Sequence, residues 1–209
     1  MPAVVLKTST KVVGGRVTRK SRSNLSEVHG YVIEKMPAGK GFTHVVSARQ
    51  LERFIELIPN WGVLSSRLER IVLDHAHPHY FGYHQFHHRE KTATIALCAW
   101  PKELWTPLSP GFFSEHREIF EALGVSYQIN LSRVTCHFSV AQARAFSLLN
   151  VFLHEVGHHH DSQRRRGVGL PGKERIAEGF ARSLFETMLP LYKAQFGDPA
   201  KREIGGEED

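Results

Sequence analysis

Between positions 139 and 189 apolar residues return every three to four positions, a spacing that predicts two consecutive helices. Ser139 and Gln142 have the pattern of a capping box, and Phe146, Leu149, Leu153 and Val156 supply a core face, so the first helix is predicted over 139–161. After a loop at 162–172, Ile176, Ala177, Phe180, Ala181, Leu184, Phe185 and Met188 cover one broad face of a second helix over 173–189. Pro190 is expected to end or kink it. Leu51, Phe54 and Ile55 predict a helix over 47–57, stopped by Pro59-Asn60, and 113–123 reads as a short helix with Gly124 at its C-cap. Strands are predicted at 70–73, at 83–87 where Tyr83-His84-Gln85-Phe86-His87 alternates, at 92–100 up to Pro101, at 125–129 and at 133–138. These elements imply an α+β fold: a small mixed or antiparallel sheet packed against the two helices. One domain over 26–196 is expected, flanked by a basic arm at 1–25 and a polar tail at 197–209.

The first helix carries His154-Glu155-Val156-Gly157-His158, an H-E-x-x-H motif. Histidines four apart share a helical face, so His154 and His158 can aim imidazole nitrogens at one ion. Glu155 lies about 100° around the same helix, placed to act as general base on water beside the ion. A catalytic zinc takes three protein ligands and leaves a fourth position open, so a third ligand is required. Glu178, at the edge of the apolar face of the second helix, is the expected one; Glu174, one turn earlier, is the weaker alternative. Asp161 follows His158 by three positions and could accept an imidazole N–H. A competing reading makes 154–160 a solvated, histidine-rich helix end, which accounts for His159 and His160 but not for Glu178.

His154-Glu155-x-x-His158, followed after nineteen residues by Glu178 in Ala177-Glu178-Gly179-Phe180-Ala181, resembles the gluzincin zinc metallopeptidases, among them the thermolysin-like and M1 aminopeptidase families. The resemblance spans about 139–189. It implies a zincin-like fold, one zinc ion on His154, His158 and Glu178, Glu155 as base, and hydrolysis of peptide bonds. Arg182 stands where thermolysin-like sites have an acidic residue, and no histidine follows His160. The transition-state stabiliser is therefore open among Tyr80, Tyr83 and Tyr192. In zincins an antiparallel edge strand lies over the motif helix and pairs with substrate, and the strand at 92–100 is the candidate for it, against the alternative of an ordinary core strand.

A net charge of +6 admits anionic partners, and 1–25 holds six Lys and Arg with no acid, so nucleic acid could bind there, although a solvated tail is the simpler reading. Two cysteines without metal-type spacing suit a reducing compartment, and no leader or membrane-length apolar run is apparent, which predicts a cytoplasmic, non-membrane protein. Residues 75–88 hold six histidines among aromatics; an aromatic hairpin with exposed histidines is favoured there over a second metal site. Gly167-Val168-Gly169-Leu170-Pro171-Gly172 fits a dinucleotide fingerprint by letter but follows a helix, so it is read as an inter-helix loop. A zinc metallopeptidase is the leading expectation. The alternatives are a nucleic-acid-associated regulatory protein and a non-catalytic, zinc-stabilised interaction module.

Overall fold

The computed structural model describes residues 10–13, 16–19, 30–163 and 169–201. Strands β1 (Thr10–Val13), β2 (Arg16–Arg19), β3 (Tyr31–Lys35), β5 (Leu68–Asp74), β6 (Gly82–His87) and β7 (Thr92–Cys98) form a six-stranded mixed sheet in the order β2-β1-β3-β5-β7-β6. β3, β5 and β7 run parallel, while β1, β2 and β6 are antiparallel to their neighbours. A two-stranded ladder of β4 (Phe42–Thr43) and β8 (Trp100–Pro101) continues beyond the end of β7. β9 (Trp105–Leu108), β10 (Ser126–Ile129) and β11 (Val134–His137) make a separate antiparallel sheet in the order β10-β11-β9.

Parallel strands need crossovers, and α1 (Ala48–Leu57) and the single turn α2 (Trp61–Leu64) fill the one from β3 to β5. Ser47 and Gln50 close a capping box on α1, and its face of Leu51, Phe54 and Ile55 is fully buried. α3 (Pro110–Ala122) ends where Gly124 takes φ +70°, and a Cβ there would stand 2.9 Å from Ala200, so glycine serves both the cap and the packing of the chain end.

The motif helix begins as expected, with Ser139 and Gln142 in a capping box on α4 (Val140–Phe146), but residues Ser147–Phe152 adopt a π-helical turn before α5 (Leu153–Gln163). One extra residue is thereby accommodated immediately before His154. Apolar spacing cannot reveal such a register change, because the apolar side chains of the turn are all buried regardless. α6 (Leu170–Phe196) crosses α5 closely: a Cβ on Gly157 would lie 2.9 Å from Cα and O of Ala177. Gly157→Val is therefore expected to destabilise the fold by about 1–3 kcal/mol through overpacking, read as a lowered urea midpoint; unchanged stability would mean that the two helices can separate.

Two expectations are corrected. Pro190 does not end the second helix, which continues to Phe196 because Met188 and Tyr192, on either side of it, are both held in the core. The strand at 92–100 is not the edge strand: β7 is buried along its whole length between β5 and β6. The strand beside the motif helix is β6, from the histidine-rich stretch, and among the described residues nothing pairs with its outer edge. Both cysteines are buried and free. Among the described residues no helix is long and apolar enough to cross a membrane.

Candidate metal centre

Sequence places His154 and His158 one turn apart, and the crossing at Gly157 brings α6 within reach of both. Nε2 of His154 and Nε2 of His158 each lie 3.4 Å from the same carboxylate oxygen, Oε2 of Glu174. The three ligand atoms lie within 4.8 Å of one another. Ligand atoms around a tetrahedral zinc with bonds of ~2.0–2.1 Å are spaced by ~3.3–3.4 Å, which is the separation of Glu174 Oε2 from each imidazole nitrogen. Two neutral imidazoles and one carboxylate also form a donor set that zinc accepts. The site therefore fits a zinc ion on its spacing and its chemistry.

Glu178 stands elsewhere than the resemblance implied. Its Oε2 is 3.4 Å from Nδ1 of His154, on the ring edge opposite Nε2, and 3.7 Å from Nε2 of His116 on α3, while Oε1 is 3.5 Å from Nη2 of Arg182. Three cationic or donor groups thus draw this carboxylate to the back of the His154 ring. Arg182 is anchored in turn on the carbonyl of Glu115. His116 and then His154 hold the Glu178 carboxyl well below the usual carboxylate range. Glu174 is the acid that converges with both imidazoles, and Glu178 stands at the opposite ring nitrogen of His154, where a carboxylate would orient that ring if it held a metal. The sequence carries no periodic signal for His116; only its place on the buried face of α3, beside Phe113, Ile119 and Phe120, hints at a role.

Glu155 is 7% exposed and lies under β6, where an added Cβ on Gly82 would come within 2.6 Å of Val151, 2.7 Å of the Ala96 carbonyl and 3.5 Å of Glu155 Cγ. Only glycine lets the strand pass this close to the helix. Burial pushes the Glu155 carboxyl up to about 7, with His154 opposing and Glu174 adding to the shift. Burial disfavours protonation of His154, but Glu178, Glu155 and Glu174 outweigh it and raise its pKa. His158 goes the other way, lowered by burial and by His154 beside it.

His159 is not a solvated helix-end residue. It is 1% exposed, and its Nε2 is 2.9 Å from the carbonyl of Ser66. A carbonyl cannot donate, so the proton sits on Nε2, and Nδ1 accepts from Nε2 of His84 at 3.3 Å. This chain ties α5 to both the start of β5 and the middle of β6. Burial, then His159 and His158, push the His84 pKa down to about 3, so its ring is neutral.

The remaining site residues separate clearly. Tyr192 is buried against Phe54 and Phe196 and is not in the cleft, so it is withdrawn as a transition-state stabiliser. Tyr83 also lines the cleft, but it donates its hydroxyl to Asp74 at 2.7 Å and, by strand alternation from Gly82, its ring is on the face of β6 turned from the motif helix. Tyr80 lines the cleft, stacked on His77 with ring centroids 3.4 Å apart. Asp161 is 4% exposed, with Oδ1 lacking any hydrogen-bond partner, and Asn150, one turn before His154, likewise has an unpartnered Oδ1. Both line the cleft, so the motif helix presents to it one polar stripe of Asn150, His154, His158 and Asp161.

His154, Glu155, His158, Glu174 and Glu178 share a single cleft of about 1860 Å³. Compared with known protein families, curated proteins and solved structures, the chain matches none.

Proposed function

We propose that this protein is a zinc-dependent peptidase with a zincin-like arrangement of motif helix and edge strand. The observation that carries the reading is the convergence of His154, His158 and Glu174 at zinc-like spacing, with the buried Glu155 beside them in an open cleft. A zinc ion held there supplies a Lewis acid that polarises a carbonyl and makes water acidic near neutral pH.

The chain's own residues perform the rest. Among the described residues none donates a hydrogen bond to Glu155, so its carboxylate is available to take a proton from water and return it to a leaving amine. Glu178 orients the His154 ring from Nδ1, and His116 and Arg182 keep Glu178 in place. The unpaired edge of β6 offers backbone N–H and C=O groups to an extended peptide, and this favours peptides over compact ester or sugar substrates.

The test is incubation of the full chain, with one equivalent of zinc, with a diverse peptide library, reading new termini by mass spectrometry. Cleavage is expected, lost on chelation with EDTA and recovered when zinc is restored. Cleavage that persists after complete zinc removal would contradict the reading.

A further inference from the structure

The cleft has two chemically different ends. β6 and α5 run alongside each other, since Gly82 meets Glu155 near the start of both and His84 meets His159 farther along. Beyond Gly82 lie Phe42, Tyr80 and Trp105, brought from β4, the β5–β6 loop and β9. They are 37%, 43% and 59% exposed, and they are the only exposed aromatic residues among those described that count as large hydrophobics. All three line this cleft, whereas none of the exposed aliphatic residues Met36, Val63, Ile129, Leu131, Val140 and Leu191 does. Exposed aromatics from three separate elements thus open into one cleft, the kind of apolar lining that marks recognition sites.

The opposite end is cationic. The carbonyl of Arg67 accepts from Ala93, which pairs with Phe86, and Lys91 sits in the turn joining β6 to β7, so Arg67 lies level with the last residues of β6, across β7 from it, and Lys91 lies just past them. Lys173, in the first turns of α6, also lines the cleft. Among the described residues none of these three cations has an acidic partner. Arg67 and Lys91 have φ of +62° and +54°, a left-handed backbone that glycine would adopt more readily. Two of the four non-glycine residues in that conformation are thus cations at one end of the cleft.

Resting on the peptidase reading, we infer that the cleft selects an extended peptide segment carrying a bulky apolar side chain at the aromatic end and an acidic side chain at the Arg67–Lys91 end. β6 spans six residues at ~3.3 Å each, so the two features stand about five residues apart in the substrate. A single-stranded nucleic acid fits less well, because the acids Glu115, Asp161, Glu174 and Glu178 line the same cleft and would repel a phosphate backbone.

The experiment measures fluorescence anisotropy of labelled nine-residue peptides on the full-length Glu155→Gln protein with one equivalent of zinc. Phe and Glu are placed about five positions apart, in both orders, in a Thr/Gln background. One of the two orders is expected to bind at least ~10-fold more tightly than its Phe→Ala or Glu→Lys derivative, that is by about 1.4 kcal/mol. In the Arg67→Glu/Lys91→Glu variant the preference between Glu and Lys peptides should reverse, which also shows that the variant is folded. In Trp105→Ala the advantage of Phe should disappear while the preference for Glu remains. Equal affinity for all peptides, or tighter binding of a nine-nucleotide oligothymidylate, overturns the inference. Wild-type cleavage of peptides irrespective of either feature would leave the peptidase reading standing and remove the inference. Selective binding without any cleavage would do the reverse.

Discussion

Zinc-loaded Glu155→Gln protein is expected to cleave a good peptide substrate on the order of 10²–10⁴-fold more slowly than wild type, with its zinc content unchanged. Glutamine keeps the size and planarity of the side chain beneath Gly82, so the packing of β6 on α5 survives. What it lacks is a carboxylate that can accept a proton, and the two acids of α6 beside the imidazoles are already engaged: Glu178 is held by His116, His154 and Arg182, while Glu174 lies against both imidazoles. The fall should appear in kcat, because Glu155 is placed to act on water and is not among the groups that hold the peptide. Turnover within a few-fold of wild type would remove Glu155 from the chemistry and move the weight to a non-catalytic zinc module.

The two acids of α6 should separate by their effect on the metal. Glu178→Ala removes the carboxylate at Nδ1 of His154 but no converging ligand atom, and a loss of about 10–100-fold in zinc affinity is expected, as for other groups that orient a ligand histidine. Glu174→Ala removes one of the three converging atoms and should cost more than that. Affinity is measured by competition with a chromogenic chelator at fixed pH, since imidazole protonation competes with the metal. The reverse order of effects would mean that zinc binding turns the His154 ring and recruits Glu178, the residue the gluzincin resemblance implied.

Much of this site was legible along the chain. The H-E-x-x-H motif, the two helices that carry the ligands and an acid one to two turns into the second helix all follow from 3.6-residue periodicity and elementary zinc chemistry. The choice between Glu174 and Glu178 was not, because the two acids share a helical face and only the positions of His116 and Arg182, 62 residues and 4 residues from Glu178, determine which one is drawn back. Sheet order was equally hidden. Both β6 and β7 read as strands, but which of them forms the edge depends on the parallel pairing of β5 with β7 across an intervening strand, a non-local fact. His159 illustrates the same limit: a third histidine at a helix end reads as solvated, and its burial comes from the loop around Ser66, 93 residues away in sequence. Gly157 is legible only as a filler of the motif, and the role it shares with Gly82, permitting close approach on two sides of the motif helix, appears only once the neighbours are in place. The basic segment at 1–25 lies largely outside the described residues, apart from the two strands that join the sheet at β3.

The metal centre itself is tested most directly by zinc K-edge X-ray absorption on the full chain loaded with one equivalent of zinc. A four-coordinate site of two imidazole nitrogens and two oxygens at about 2.0–2.1 Å is expected, collapsing in His158→Ala. A sulfur shell at about 2.3 Å from Cys98 or Cys136, or a spectrum that His158→Ala leaves unchanged, would contradict a centre built from His154, His158 and a carboxylate of α6.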